Sequence, residues 1–251
     1  HPRVRRQRQM CIRDRYGAAQ RRRRTFIFAY RDDTHYGKKM ADLSFDEIFR
    51  EDGFMARAFP VQEMELVRQK DIGSDIVAVS DTFAFAFENA GYMHGGTIYT
   101  AKVVEAEEPA TMLGAILQHN VDEKYYITGD KMTKWVYLKG AKKIPRKTKE
   151  GHEYVFSEGP IAFPDPWDRP GRTMLTSEST LNRSTHTVVD PGTGRIRLLT
   201  PVEAERLQGF DDDWTAGMPD RMRYFCMGNA LVVPMITRMG HVLDDIIADE
   251  E

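Results

Sequence analysis

The chain has 251 residues, of which 41% are hydrophobic and 29% are charged, and its formal net charge is −2. This composition is ordinary for a globular domain or two, and the near-zero charge excludes a protein that is basic throughout. No apolar run approaches the ~20 residues of a bilayer-spanning helix, so we expect no membrane contact. Only Cys11 and Cys226 are present, which excludes a disulfide framework and fits a reducing cytoplasm.

Basic residues are nevertheless concentrated in two stretches. The first group comprises Arg3, Arg5, Arg6, Arg8, Arg13, Arg15 and Arg21 to Arg24, and the second comprises Lys139, Lys142, Lys143, Arg146, Lys147 and Lys149. Local basic patches on a near-neutral chain suit contact with phosphates on one face. For the second group a solvated surface is an equally good interpretation.

The chain begins with a segment, residues 1–15, that has neither an apolar period nor turn residues, and no apolar stretch that would make a signal peptide. We treat it as a doubtful or disordered basic tail. Residues 25–30 are β-branched and aromatic, which predicts a buried strand. Immediately before it, Gln20, Arg22 and Arg24 alternate, and in an extended segment they would share a face.

Between residues 41 and 109 the patterns alternate between helix and strand. We predict a helix over residues 43–50 that is capped by Ser44 and ended by Gly53, then a helical piece over 63–69 and a strand over 76–79. The alternating phenylalanines of residues 83–87 and the stretch 97–104, with a turn at Gly95 and Gly96 between them, predict a hairpin. For these phenylalanines a core face is favoured over a base-stacking platform.

The middle of the chain is more irregular. Residues 110–118 have a helical pattern, and residues 133–138 lead into the second basic group, which fits a DNA-facing loop. Proline and glycine predict loops over 151–171. The hydroxyls and amides of 172–189 would contact phosphates or base edges, or would form a polar hairpin.

The last quarter of the chain carries the clearest signals. Thr200, Pro201 and Glu203 form a helix start with a capping box, and Gly209 ends that helix. A longer helix is predicted to open at Gly228 and Asn229. Its Pro234 must then lie near the first turn.

The literal strings in this part are more specific than their helical pattern. L-T-P-V-E-A-E-R-L-Q-G-F-D-D-D-W, followed by G-N-A-L-V-V-P, resembles the ninth and tenth signature blocks of the DNA (cytosine-5) methyltransferases. The Q-x-R-x-R of Gln20, Arg22 and Arg24 resembles the eighth block. The three blocks occur in the order that the family has.

The resemblance implies a fold and a division of the chain. We expect an α/β remnant of a Rossmann-like methyltransferase domain plus a mostly β, irregular target recognition domain. The expected parts are the tail 1–15, a catalytic-domain strand region 16–40, the recognition domain 41–194, a ninth-block link 195–227 and a returning helix 228–251. The strand after Gln20 and the helix after Asn229 should lie in one lobe.

The resemblance also implies roles for individual residues. Gln20, Arg22 and Arg24 would assist catalysis by holding a flipped cytosine and its backbone, and Asn229 and Ala230 would lie beside the cofactor, S-adenosylmethionine. The candidate DNA contacts are Lys142, Lys143, Arg146, Lys147, Thr180, Leu181 and Arg183. No metal site is expected, because the histidines are scattered and the two cysteines are far apart.

The family's nucleophile block, Pro-Cys-Gln, and its Glu-Asn-Val block do not occur in these residues. We therefore expect a fragment of a cytoplasmic methyltransferase that acts on double-stranded DNA and is inactive by itself, with a missing N-terminal catalytic half or subunit as its partner. A separate recognition subunit of a split enzyme is the first alternative, and a basic RNA-binding or DNA-packaging protein is another. Restriction-modification, phage protection and gene regulation are all open as the setting.

Overall fold

The structure is a computed structural model that describes residues 16–72 and 75–251. The predicted basic tail 1–15, with Cys11, lies outside the described residues. The helices are α1 (His35–Asp42), α2 (Phe45–Glu47), α3 (Phe54–Ala58), α4 (Ile76–Thr82), α5 (Gly129–Lys139), α6 (Pro201–Gln208), α7 (Asp220–Asn229) and α8 (Val233–Glu250). The strands are β1 (Val61–Asp71), β2 (Ala90–His94), β3 (Thr97–Glu105), β4 (Lys142–Lys147), β5 (Glu153–Glu158), β6 (Thr187–Val189) and β7 (Ile196–Leu198). A π-helical turn, Ile48–Asp52, continues α2, and two short 3-10 turns lie at Leu113–Ile116 and Glu123–Tyr125.

The described chain forms two compact units. The first comprises residues 16–17, 22–72, 75–109 and 233–251, and the second comprises 18–21 and 110–232. Residues 41–109 therefore lie with the segment that follows Gln20, whereas the predicted division placed them in a recognition domain with residues 110–194. The segment 22–30 and helix α8 belong to the same unit.

In the first unit, a three-stranded antiparallel sheet has the order β1-β3-β2. Tyr92 pairs with Tyr99 across β2 and β3, and Val67 pairs with Ala101 across β1 and β3. Gly95 and Gly96 turn the hairpin with φ of +55° and +81°, a conformation that glycine adopts without steric cost, so the predicted turn is confirmed. The predicted helix over 63–69 is wrong, because β1 spans those residues and gains its hydrogen bonds from β3.

Two further predictions in this unit fail for local reasons. Residues 76–79 are helical and not a strand, because the Asp75 carboxylate accepts the amide hydrogens of Val77 and Ala78, each at 3.0 Å, and so starts α4. The first strand of the hairpin begins at Ala90, and the three phenylalanines precede it. Their rings contact one another and are half-buried, so they form a small surface cluster and no strand face.

Residues 25–30 belong to no helix or strand in the described structure. Burial alternates along them, and Ile27, whose side chain is 85% exposed, lies on the outer face. The prediction of a buried strand is therefore wrong in this structure, since a strand needs a hydrogen-bonded neighbour. Among the described residues no strand pairs with this segment.

Helix α8 is fastened to the helices at the start of the first unit. The Glu250 carboxylate accepts the amide hydrogens of His35 at 2.9 Å and Tyr36 at 2.7 Å, which occupies the free N–H groups at the start of α1. Arg57 of α3 donates to Asp245 at 2.7 Å. Pro234 is the second residue of α8, so its predicted place in the first turn is confirmed.

Ser44 also caps α2 with a capping box, and Gly53 follows the π turn, as predicted.

The second unit mixes helices with short strands around one apolar core. Its buried side chains include Leu113, Met174, Val188, Leu199, Leu207, Tyr224 and Met227. The helix predicted over 110–118 is only the 3-10 turn, and the loop predicted over 151–171 contains β5, which pairs with β4. The form of the 3-10 turn depends on a distant neighbour, because Leu113 N donates to Arg169 O and Gly114 N donates to Trp167 O. β5, by contrast, pairs with the strand directly before it.

The helix start predicted at Thr200 is confirmed in detail. The Thr200 hydroxyl accepts from Glu203 N at 3.1 Å, and the Glu203 carboxylate accepts from Thr200 N at 2.8 Å. Gly209 ends α6 in the left-handed region, with φ of +83°. By contrast, Gly228 and Asn229 do not open a helix: they end α7, and α8 begins at Val233.

Candidate functional site

Gln20 is buried and acts as a brace within the second unit. Its side-chain nitrogen donates to Leu207 O at 3.0 Å, and its side-chain oxygen accepts from Met174 N at 3.2 Å. A parallel bridge to Gly171 fixes the backbone beside it. Both the nitrogen and the oxygen of the amide are therefore engaged with the protein, which favours a positioning role over direct contact with a substrate.

Arg22 and Arg24 follow at alternate positions and belong to the first unit. Arg22 is buried and Arg24 is half-buried, while Arg21 and Arg23 between and before them are exposed. The predicted sharing of a face is thus matched by the burial pattern. Burial, together with the charge of Arg24, lowers the pKa of Arg22 to about 10; burial also lowers the pKa of Arg24. Two partly desolvated guanidinium groups of like charge would be stabilised by an anion.

The turn after α7 holds the two candidate cofactor-side residues. Asn229 is exposed, and its side-chain nitrogen donates to Phe225 O at 3.1 Å. Ala230 N donates to Cys226 O at 2.9 Å and closes the helix. Asn229 therefore lies at the end of α7 and not at the start of the helix that we predicted to open there.

Close backbone packing fixes the place of this turn. A Cβ atom built on Gly228 would lie 2.4 Å from Thr176 N and 2.6 Å from Leu175 C, so only glycine fits there. The side-chain nitrogen of Gln208, in α6, donates to Met227 O. The end of α7 is thereby joined both to α6 and to the loop that starts near Leu175.

A buried ionic cluster supports the start of α6. Arg197 is fully buried, donates to Asp190 at 2.8 Å, and forms a two-pronged pair with Glu203 at 2.7 and 2.8 Å. Burial alone would raise the pKa of Asp190, but hydrogen bonds from Arg197 and Thr193 outweigh it and lower that pKa to about 2. The cluster joins β6, β7 and the start of α6.

A second buried polar cluster supports the loop 176–186. Arg172 pairs with Asp165 at 2.6 Å, and both ring nitrogens of His186 lie 3.1 Å from acceptors, the Glu178 carboxylate and Arg172 O. Lys139 donates to Thr185 O from a buried position. Burial, aided by the charge of Arg172, lowers the pKa of Lys139 to about 8.

The loop 176–186 exposes Thr180 and Leu181. Asn182 donates from its side chain to the Thr180 hydroxyl at 2.7 Å and to Ser177 O at 2.9 Å, which makes a tight turn. Ser179 has φ of +68°, a conformation that is unusual for a residue with a side chain. The loop therefore presents both predicted residues on a braced turn.

The second basic group forms a two-stranded antiparallel ribbon, β4 and β5. Lys143 pairs with Ser157, Pro145 with Val155, and Lys147 with Glu153. Lys143, Arg146 and Lys147 are exposed, whereas Lys142 is half-buried, with its ammonium 4.8 Å from the centre of the Tyr137 ring. In the sequence, this ribbon is indicated by the alternation of residue types along K-K-I-P-R-K and E-Y-V-F-S-E. The glycines around these two stretches favoured the prediction of a loop instead.

Arg183 is placed differently from the other predicted DNA contacts. Its guanidinium donates to Leu138 O at 2.8 Å, to Gly140 O at 2.9 Å and to Gly159 O. These carbonyls lie just before β4 and just after β5, so Arg183 clamps the base of the ribbon. This geometry favours a positioning role over the predicted contact with DNA.

Two negative findings concern the described residues only. Within 16–72 and 75–251, no group of three His, Cys, Asp or Glu side chains is arranged to hold a metal ion. No helix in this part of the chain is both long and apolar enough to cross a lipid bilayer.

Comparison with known proteins gives consistent results along most of the chain. Residues 9–244 match the family profile described as C-5 cytosine-specific DNA methylase. The Type II methyltransferase M.Sau3AI of Staphylococcus aureus is 50% identical over 235 residues, which cover 92% of this chain and 56% of that protein. M.NlaX of Neisseria lactamica, also a Type II methyltransferase, is 31% identical over 51% of this chain and 37% of its own length.

The chain thus spans little more than half the length of the first of these relatives. Among solved structures, a methyltransferase of Entamoeba histolytica aligns over 72% of this chain and 54% of its own, with a TM-score of 0.39 and 16% identity. A structural likeness of that size supports no further argument. The sequence matches are sufficient, and the chain belongs to the C-5 cytosine-specific DNA methylase family.

Proposed function

We propose that this chain supplies the DNA-recognition and target-base side of a DNA (cytosine-5) methyltransferase. The enzyme would transfer a methyl group from S-adenosylmethionine to C5 of a cytosine flipped out of duplex DNA. The observation that carries the proposal is the family match over residues 9–244. The exposed basic ribbon and the braced loop at Thr180 and Leu181 support it, since both offer groups that suit a nucleic acid.

Arg22 and Arg24 are the residues that we propose to hold the flipped nucleotide. Both arginines are more buried than Arg21 and Arg23, and burial strengthens the interaction of their guanidinium groups with an anion or a carbonyl oxygen. Gln20 would have a positioning role within the second unit, through its bonds to Leu207 and Met174. Arg24, the less buried of the two arginines, is our candidate for contact with the base.

S-adenosylmethionine would be held in part by the turn at Asn229 and Ala230. The side-chain nitrogen of Asn229 is engaged by Phe225 O, which leaves its exposed oxygen to accept a hydrogen bond from an amino group. This fits the amino groups that the cofactor carries. When bound, the cofactor supplies the electrophilic methyl group.

The nucleophile is the part that we do not assign to this chain. Pro-Cys-Gln does not occur in the 251 residues, and Cys226 packs half-buried against the core of the second unit, as a small apolar side chain does. We therefore propose that the chain by itself transfers no methyl group. A longer polypeptide or a separate catalytic subunit would supply the thiolate.

A chimera tests the proposal. This chain would replace the matching segment of the Staphylococcus aureus relative, and incorporation of radiolabelled methyl groups into duplex DNA would be measured. We expect the chimera to methylate DNA and the isolated chain to be inactive. A chimera that is folded but inactive, or an isolated chain that turns over, would contradict the proposal.

The same assay separates the two arrangements of the enzyme. If the two parts restore activity when they are mixed as separate polypeptides, a split enzyme with a recognition subunit is supported. If only the fused chimera is active, a single chain is supported.

A further inference from the structure

The β4-β5 ribbon has two faces of different character. The outer face consists of Lys143, Pro145 and Lys147 of β4 and of Glu153, Val155 and Ser157 of β5, and all six are exposed. The inner face carries the alternate residues, of which Lys142, Ile144, Phe156 and Glu158 are half-buried and Arg146 and Tyr154 are exposed. The outer face therefore contributes little to the packing of the second unit, and its side chains remain available to a partner.

The inner face anchors the ribbon. The Lys142 ammonium lies over the Tyr137 ring, and the Arg146 guanidinium lies 4.0 Å from the centre of the Phe156 ring. Arg183 clamps both ends of the ribbon base, and Ile161 N donates to Lys139 O at 2.8 Å just beyond it. The ribbon is thus held at its root, while the connection over residues 148–152 forms an exposed tip.

We propose that the outer face of this ribbon enters the major groove of duplex DNA and reads base edges there. The proposal rests on the function proposed above and names the surface that recognises the target. Contacts between its lysines and phosphates would not by themselves require the ribbon to read base edges.

The dimensions of the ribbon suit this partner. Six residues a strand give a ribbon of about 20 Å, with the strands about 4.8 Å apart, and the major groove of about 12 Å admits a two-stranded ribbon. The deep, narrow major groove of an RNA duplex does not admit side chains in this way. The shape therefore favours a DNA duplex over an RNA duplex.

The chemistry of the outer face suits base edges as well as phosphates. Pro145 and Val155 form an apolar pair at its centre. Val155 is 60% exposed and packs against no core. An exposed aliphatic group fits the methyl group of thymine, Glu153 fits the amino group of cytosine, and Ser157 fits either donor or acceptor edges. Lys143 and Lys147 flank the apolar pair and reach outward to phosphates.

The ion pair on this face does not oppose the assignment. Lys147 and Glu153 lie 2.7 Å apart, but both side chains are largely exposed, so the pair contributes little to stability. Each partner would therefore exchange the other for a group on DNA at small cost.

The test uses the full chain and short DNA duplexes. Binding of a duplex pool with a randomised core would be measured by fluorescence anisotropy between about 50 and 200 mM salt. The variants are K143A/K147A on the outer face and, as a control with the same change in charge, K131A/K134A on the exposed side of α5. We expect the slope of log K against log salt to fall by about 2 for the outer-face variant and to stay unchanged for the control.

Base reading is tested separately by selecting preferred sequences from the pool. E153Q and V155S are expected to reduce discrimination about tenfold at one or two base pairs while the salt slope stays constant. An RNA duplex of the selected sequence should compete poorly for the wild-type chain.

The outcomes distinguish the two proposals. If the wild-type chain binds no DNA duplex, the proposed function fails and the ribbon assignment fails with it. If the wild-type chain selects a sequence but all ribbon variants keep its salt slope and its preference, only the ribbon assignment fails. Equal competition by the RNA duplex would likewise overturn the assignment to the DNA major groove.

Discussion

Gly228 of α7 meets the backbone of Thr176 so closely that a Cβ atom at Gly228 would lie 2.4 Å from the Thr176 amide nitrogen. The contact joins two places to which we assign different tasks. Thr176 begins the loop that presents Thr180 and Leu181, and Gly228 directly precedes the turn at Asn229. A change at this one glycine should therefore disturb both places together.

Gly228→Ala is expected to destabilise the second unit by about 1–3 kcal/mol, the usual effect of forcing an extra carbon into a packed site. Gly240→Ala is the matched control, because Gly240 is also helical but a Cβ there meets nothing within 4 Å. The control should be neutral or stabilising by up to about 1 kcal/mol. Urea unfolding of both variants measures the difference, and equal stabilities would contradict the close packing at Gly228.

Arg197→Met should cost about 3–5 kcal/mol, because it leaves the carboxylates of Asp190 and Glu203 buried without their counter-charge. Arg195→Met is the control on the same chain segment. Arg195 pairs with Glu123 at the surface, where solvent screens the ion pair, so its loss should change stability little. Similar midpoints for the two variants in chemical denaturation would show that the buried cluster does not support α6.

The stability of the second unit should rise with pH from about pH 8 to about pH 9.5, below the ordinary ionisation of tyrosine. Burial lowers the pKa of Lys139 in the folded protein to about 8, against an ordinary value of 10.5. Between these values the folded state binds fewer protons than the unfolded chain, so raising the pH favours folding. Unfolding free energies measured across this range test the rise.

Lys139→Met removes the titrating group, so its stability should be flatter over the same pH range than that of the wild type. Lys134→Met is the control, since Lys134 lies exposed on the same helix. If the wild type and Lys139→Met show the same pH dependence, Lys139 is not the cause.

Arg24→Ala in the active chimera should lower the single-turnover rate of methyl transfer by about tenfold or more, while general DNA affinity changes little. The reason is that a residue that holds the flipped base acts on the reacting complex rather than on the duplex as a whole. Arg23→Ala is the control, because Arg23 lies on the exposed face of the same segment. Equal rates for the two variants would remove Arg24 from the target-base site.

Several features could be predicted from the sequence because they depend on neighbouring residues only. The start of α6 at Thr200, its end at Gly209, the cap at Ser44 and the turn at Gly95 and Gly96 all follow from side chains that bond to their own backbone or from glycine's freedom at positive φ. The family could likewise be recognised from short strings of residues, because such strings can be identified without knowing which residues lie near them in the fold.

Other features depended on partners that are distant in the chain. β1 is a strand because β3 lies beside it, and residues 25–30 have no strand beside them among the described residues. The same holds for the roles of single residues. From the sequence we predicted that Gln20 and Arg183 contact the substrate. In the structure Gln20 bonds to Leu207 and Met174, and Arg183 bonds to the carbonyls at the ribbon base. Only the folded chain brings these partners within reach.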